Sequence, residues 1–488
     1  MVRGALFSLF LCVFPAAALA QALGYDGARH LLNRVGFGAT DAEIRAYAGL
    51  ARTQAVERIL QETRREPTMK PPAFVETAPL PFYKLRQMSA EERQAQVRRN
   101  IELGLELREW WMREMLATPS PLTEKMTLFW HNHFATSQQK VRSGQLMYRQ
   151  NALLRREALG NFGRLLHDVA KDPAMLIYLD NAGSRRQAPN ENFAREVMEL
   201  FTLGEGRYGE RDIKEAARAF TGWSLDRDTL EFTFRRPWHD GGEKTVLGRT
   251  GRFDGDQVLD ILLARAETAE FIATKLWKEF VSPVPDTREV KRLAAVLRDA
   301  RYEVTPLMRA LLLSDAFWSE RNRAALIKSP LELVVGTLRT FDIRPFTLRP
   351  AVLACALLGQ NPMSPPNVKG WPGGEAWINS ATLLGRKQLL ERIFRGTDAM
   401  PGPGMVDSAS EDMQQTAQPG PEARFRRMME RGMQTYAFDG EHWARSLDRG
   451  SRIEGLVLAA GAVNPAPEGA SGADLARHLV ADPAYQLK

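Results

Sequence analysis

A mainly α fold, a multi-helix orthogonal bundle with one small β-hairpin inserted near residues 228–250, is the architecture this sequence predicts. Three observations point to it. Apolar residues recur at helical spacing along most of the 488 residues. Helix-capping signatures punctuate the chain. Strand-like alternation with turn glycines is confined to a single stretch. With 44% hydrophobic and 26% charged residues, the chain has ordinary globular composition and ample material for a large core.

Residues 1–20 stand apart. MVRGALFSLFLCVFPAAALA carries Arg3, a largely apolar run from Ala5 to Phe14, and Ala18-Leu19-Ala20 as a small-x-small cleavage site, the pattern of a secretory signal peptide. That run is too short to span a bilayer, and no later stretch approaches the roughly 18 consecutive apolar residues that would. The expectation is an exported protein, periplasmic or extracellular, with no transmembrane helix in the mature chain. Cys12 leaves with the signal. Only Cys355 remains, in AVLACALLG, so no intramolecular disulfide can form and the cysteine reads as a small buried hydrophobe. The formal charge of +7, one less without Arg3, suits an anionic envelope polymer or polysaccharide better than nucleic acid in that compartment.

The main helical domain is expected over 21–400. Gly36-Phe37-Gly38 breaks two N-terminal helices, and Thr40 or Asp41 is placed to cap the second. Ser89 opens a long helical run with two glutamates in its first turn, and Ser120-Pro121 opens the next, proline at the first helical position and serine as its cap. Ser329-Pro330-Leu331-Glu332 reads as a capping box. Leu230, Phe232 and Phe234 alternate with polar neighbours before Gly-Gly and Gly-Arg-Thr-Gly turns, which is the hairpin signal. Residues 401–425, rich in Pro, Gly, Ser and Gln, read as a linker or loop. The stretch 426–488 carries too few apolar positions to stand alone and is expected to dock on the main domain. LLLSDAFW (Leu311 to Trp318) and LVADPAYQ (Leu479 to Gln486) form a faint internal echo.

Three clusters carry candidate chemistry. In FWHNHFATS, His131 and His133 could ligate a divalent metal only from a strand or loop. On the helix that the run predicts they lie about 200° apart and are read as separately hydrogen-bonded packing groups. One of them could also act alone. In PNENFAREVMELFTLGEG, Asn190 or Asn192 caps a helix ending at Gly204, and Glu191, Arg195 and Glu199 form an i, i+4 ladder. Glu196 lies between the apolar and ladder faces, where partial burial would raise its pKa toward general-acid use. NPMSPPNVKGWPGGEAWINS is an irregular loop displaying Asn367, Lys369, Trp371, Trp377 and Asn379, residues that suit a sugar platform, a cleft seal or simple pinning to the core.

HLLNRVGFGAT, PLTEKMTLFWHNHFATS, NENFAREVMELFTLGEG, DIKEAARAFTGW, HDGGEKTVLGRTGRFDGDQVLDILL and PPNVKGWPGGEAWINSATLL together resemble a large bacterial family of exported proteins, domain-of-unknown-function family eighteen hundred. The resemblance covers Gly24 to Arg395, and HLVADPAYQLK is similar to the family's C-terminal ending. It implies a largely helical fold and an exported phosphatase/sulfatase-like partner. One departure is visible: Gly209 stands where the family more often has a capping Thr before DIKEAARAF.

Two functions follow from these readings. In one, His131, Asn190, Glu191, Asn192, Arg195, Glu196, His239, Asp240, Asn367, Lys369, Trp371 and Trp377 converge on a cleft that hydrolyses an envelope or extracellular polymer. Glu196 or Glu191 is then the acid/base, and a histidine orients it or binds metal together with His133. In the other, the protein is a non-catalytic envelope binding or scaffold protein, and its polar residues form an internal network that fixes helix packing.

Overall fold

The computed structural model describes residues 21–395, 436, 438–447, 452–470 and 472–488; the signal-peptide and 401–425 linker expectations fall outside them. The described chain is mainly helical, with two two-stranded antiparallel ribbons. Among the described residues no helix is long and apolar enough to cross a membrane.

The first helix, Gly24–Val35, ends at an extended Gly36, and Thr40 opens Asp41–Ala48 with a full capping box from Glu43. Gly38 between them has φ +90°, and a Cβ there would press on the backbone of Gly336. Only glycine lets this break lie against the helix Pro330–Thr340, where Arg339 Nε also donates to the Gly38 carbonyl at 3.2 Å. Ser89 caps the 28-residue helix Ala90–Ala117 with Glu92. Its C-terminal half buries Leu103, Leu107, Trp110 and Trp111.

Trp111 is also held by a polar tie. Its Nε1 donates to Glu124 at 2.8 Å, and Arg155 grips the same carboxylate through two bonds of 2.6 and 2.9 Å. Three helices, Ala90–Ala117, Pro121–His133 and Gly144–Arg156, are thereby locked at one buried point. Ser120 behaves differently from its expectation. It precedes Pro121, but its hydroxyl bonds the Thr123 hydroxyl at 2.7 Å rather than a backbone N–H, because its backbone, at ψ 69°, lies outside the usual cap conformation.

The hairpin region resolves into two ribbons. Trp223–Leu225 pairs with Phe232–Phe234, and Lys244–Val246 with Arg249–Gly251. The first loop turns on Asp226, whose carboxylate accepts from the Asp228 and Thr229 N–H groups; the second turns on Leu247-Gly248, both at positive φ. The turn Arg236–Trp238 separates them.

The C-terminal segments pack on this body. Trp443 packs its ring, tilted, against Phe341 and donates to the Thr340 carbonyl at 2.9 Å, Arg29 donates to the Leu458 carbonyl at 2.6 Å, and the Tyr485 hydroxyl meets Thr337 at 2.8 Å. The sequence echo has a physical counterpart. Helix Val304–Leu312 is followed by a short helix capped by Ser314, and helix Gly472–Ala481 by one capped by Asp482. Cys355 is fully buried, with Sγ 3.7 Å from the Pro330 carbonyl.

Candidate functional site

Helix Pro121–His133 runs unbroken through both histidines, and it presents them to different neighbours. His131 is buried between Trp111 and Trp371, each with its ring centroid 5.7 Å away; its Nε2 has no hydrogen-bond partner among the described residues, and burial lowers its pKa to about 4. His133 turns toward the next layer. Its Nε2 lies 3.1 Å from the Phe201 carbonyl and its Nδ1 2.9 Å from Lys275 Nζ. A carbonyl only accepts, so Nε2 carries the proton and Nδ1 accepts from the lysine. Burial, with Lys275 adding to it, holds His133 well below the ordinary imidazole pKa and therefore neutral. Both its ring nitrogens are occupied, which leaves no lone pair for a metal ion. Among the described residues no group of three or more His, Cys, Asp or Glu is placed to hold one.

Phe201, the partner of His133, belongs to a π-helical turn, Val197–Leu203, that continues the Asn190-capped helix Glu191–Glu196 and ends at Gly204. The wider winding is stabilised by Thr202, whose hydroxyl donates to the Val197 carbonyl at 2.7 Å. Such turns are frequent at functional sites, and this one supplies the carbonyl that sets the His133 tautomer.

Asn132, between the histidines, fastens the proline- and glycine-rich loop. Its Oδ1 accepts from Trp371 N at 2.6 Å, and its Nδ2 reaches the Trp371 carbonyl at 3.4 Å. Gly370 makes this possible: at φ +82° it lies so close that a Cβ would overlap Asn132. The loop so held closes one side of a cavity of about 460 Å³. Its floor is Leu128, Phe129 and Trp371, and its wall carries Lys125, Lys275, Lys278, Lys369 and Lys488 against two acids, Glu279 and Glu332.

The lysines are not equivalent. Lys125 and Lys488 both bond the buried Glu332 carboxylate, and Lys125 also pairs with Glu279 at 2.6 Å. Burial by itself would raise Glu332, but the two ammonium groups more than offset it and hold the carboxyl well below its usual range. Lys369 reaches out of the wall to Glu205 at 2.9 Å and Glu199 at 3.9 Å. Lys275 and Lys278, three residues apart on helix Ala266–Phe280, form no ion pair among the described residues. Burial lowers Lys275 to about 8, with the Lys278 charge adding to the effect.

Of the residues singled out from sequence, His133, Lys369, Trp371 and Trp377 line this cavity, with His131 behind Trp371. The others lie elsewhere. Asn190 is a helix cap that donates to the Leu179 carbonyl at 2.7 Å, while Glu191 and Asn192 are exposed. Arg195 leaves the expected ladder for a two-bond pair with Glu210. Glu196 is half-buried, its pKa raised by burial and then by Glu199, which itself accepts from the Tyr208 hydroxyl. His239 Nδ1 faces the Thr221 carbonyl at 2.9 Å; Asp240 is held below its usual pKa by Arg218 at 2.7 Å. Asn367 shapes the turn before Gly370, and Asn379 caps helix Ser380–Arg395. Asn132, Lys275 and Lys278 went unselected. Their only local signals are an amide between two histidines and two lysines three apart in KLWKEF.

Fold and site together define a mainly α protein with a lysine-walled cavity closed by a tryptophan loop. The chain belongs to the family described as "Protein of unknown function (DUF1800)", whose family model matches residues 30–487, in agreement with the six motifs. No curated protein and no solved structure matches it.

Proposed function

We propose that the protein is an exported envelope component that binds an acidic polymer, with the lysine-walled cavity as its contact site. The observation that carries this reading is the wall itself, five lysines facing two glutamates around an aromatic floor. A surplus of positive charge in a concave, partly apolar site focuses its field on an anionic ligand. Export is supported by the signal-like first twenty residues. An exported phosphatase/sulfatase-like partner, implied by the family resemblance, belongs to the same proposal and is tested by co-purification.

Affinity electrophoresis of the full chain in gels containing an acidic or a neutral polysaccharide tests the binding. Retardation by the acidic polymer alone, weakening as salt is added, is the expected result. Equal migration in both gels would refute it. Fractionation of expressing cells tests the export.

A second reading, hydrolysis of that polymer, is favoured by one feature. Glu196, with its raised pKa, stands beside Glu199 and within the influence of Lys369. Release of reducing ends by the native protein and its loss in Glu196→Gln is the corresponding test.

A further inference from the structure

We propose that the cavity takes a tetrahedral oxyanion, a phosphate or sulfate ester group of the ligand, held by Lys275 and Lys278; this rests on the acidic-ligand reading above. The chain carries 52 arginines and only 14 lysines, yet all five cations on the cavity wall are lysines. Arginine is the more frequent residue here by almost four to one, so a wall that was merely basic would contain it. The difference is chemical. A guanidinium fork binds phosphate as well as carboxylate, but in one fixed plane, whereas an ammonium is a compact point charge with three rotatable donors that serves the oxygens of a phosphoryl or sulfuryl group from any side.

Lys275 and Lys278 are the pair left for a ligand. They lie on one face of helix Ala266–Phe280, where like charges three residues apart repel, and neither has a carboxylate to relieve that repulsion among the described residues. Lys125 and Lys488, by contrast, already share Glu332. His133 Nδ1 takes one N–H of Lys275 and so fixes the direction of the amine, which leaves its other donors for the cavity. Gly373 and Gly374 line the same cavity without side chains, and a Cβ at either would meet nothing within 4 Å. The cavity that Lys275 and Lys278 line thus keeps open space for a bulky head group. Phe129 and Trp371 line the same cavity, and apolar surface near a charge contact lowers the local dielectric and strengthens it.

The test is isothermal titration of the full chain with inorganic phosphate, inorganic sulfate and acetate at low ionic strength, repeated on Lys278→Gln. Lys278 is exposed and makes no side-chain bond among the described residues, so its removal leaves the fold in place, and circular dichroism verifies that. The expected result is binding of phosphate and sulfate but not acetate, with affinity about tenfold weaker in the variant, the loss of one charge-assisted contact. Either preference between phosphate and sulfate supports the proposal and identifies the ester. Acetate binding as tightly as the tetrahedral ions, or phosphate binding unchanged by Lys278→Gln, overturns it while the acidic-polymer reading stands. If no ion binds and acidic polymer no longer retards the chain, both fall.

Discussion

Glu332→Gln is the perturbation whose magnitude the structure determines best. Glu332 is 5% exposed, Lys125 1% and Lys488 6%, so two ammonium groups are buried on one carboxylate. Neutralising it leaves Lys125 with Glu279 at 2.6 Å and Lys488 with the same acid at only 3.9 Å. Breaking a buried pair from one side costs about 3–5 kcal/mol, because the orphaned charge stays desolvated. Glutamine keeps the shape, and its amide oxygen can still accept from Ser329 N, so the helix cap contributes little to the loss. Equilibrium urea unfolding at neutral pH, followed by circular dichroism, measures it. The triple variant Lys125→Met, Glu332→Leu, Lys488→Met should recover much of the stability, since both buried ammonium groups leave with the carboxylate and the charge that loses its partners, Glu279, has a side chain 32% exposed to solvent. The pH dependence has a definite sign. Glu332 has a lower pKa folded than unfolded, so its stabilisation is complete above about pH 5 and declines as the pH falls toward the folded value. A loss below about 1 kcal/mol in Glu332→Gln, or a triple variant no more stable than the single, would refute the argument.

Four further outcomes are expected. His131→Phe should be neutral or stabilising within about 1.5 kcal/mol, because it keeps the contacts with Trp111 and Trp371 and removes an unpartnered buried nitrogen. His133→Phe, which strands both the Phe201 carbonyl and Lys275, should cost roughly 2–4 kcal/mol; parallel unfolding curves compare the two. Gly370→Ala forces a Cβ into Asn132 at φ +82° and should cost at least about 2 kcal/mol while freeing the tryptophan loop, read as a shift in tryptophan fluorescence. His167 bridges Asp256 at 2.8 Å and Asp260 at 3.1 Å, and the Asp256 bond, against opposing burial, raises its pKa. The stability difference between native and His167→Ala should be full below about pH 6.5 and vanish as the pH rises through the folded value; a difference that grows with pH would overturn this.

Much of the local structure was legible in the chain. Thr40, Ser89, Asn190 and Ser329 cap helices as their spacing predicts, since capping involves groups only three residues apart and needs no knowledge of the rest of the fold. Ser120 is the exception, where a backbone outside the usual cap conformation, at ψ 69°, leaves the hydroxyl to Thr123. The two-period pattern at 230–234 marked a β insertion, but the turn Arg236–Trp238 divided it into two ribbons, one turning at Asp226 and the other at Leu247.

By itself, the sequence determined that FWHNHF would be helical and that its histidines would face different ways, because 100° per residue is a property of the helix alone. It also determined the family, through six ordered motifs. Only the tertiary structure decided what those faces meet. Lys125, Lys275, Lys369 and Lys488 come from four remote segments, and no local periodicity records that they share one wall. The ladder Glu191–Arg195–Glu199 met the same limit: Arg195 found Glu210 and Glu199 found Tyr208, partners brought near by the turn after Gly204. Local order follows from spacing along the chain, whereas a site follows from packing between distant helices, where buried charge must be matched by whichever partner the fold delivers.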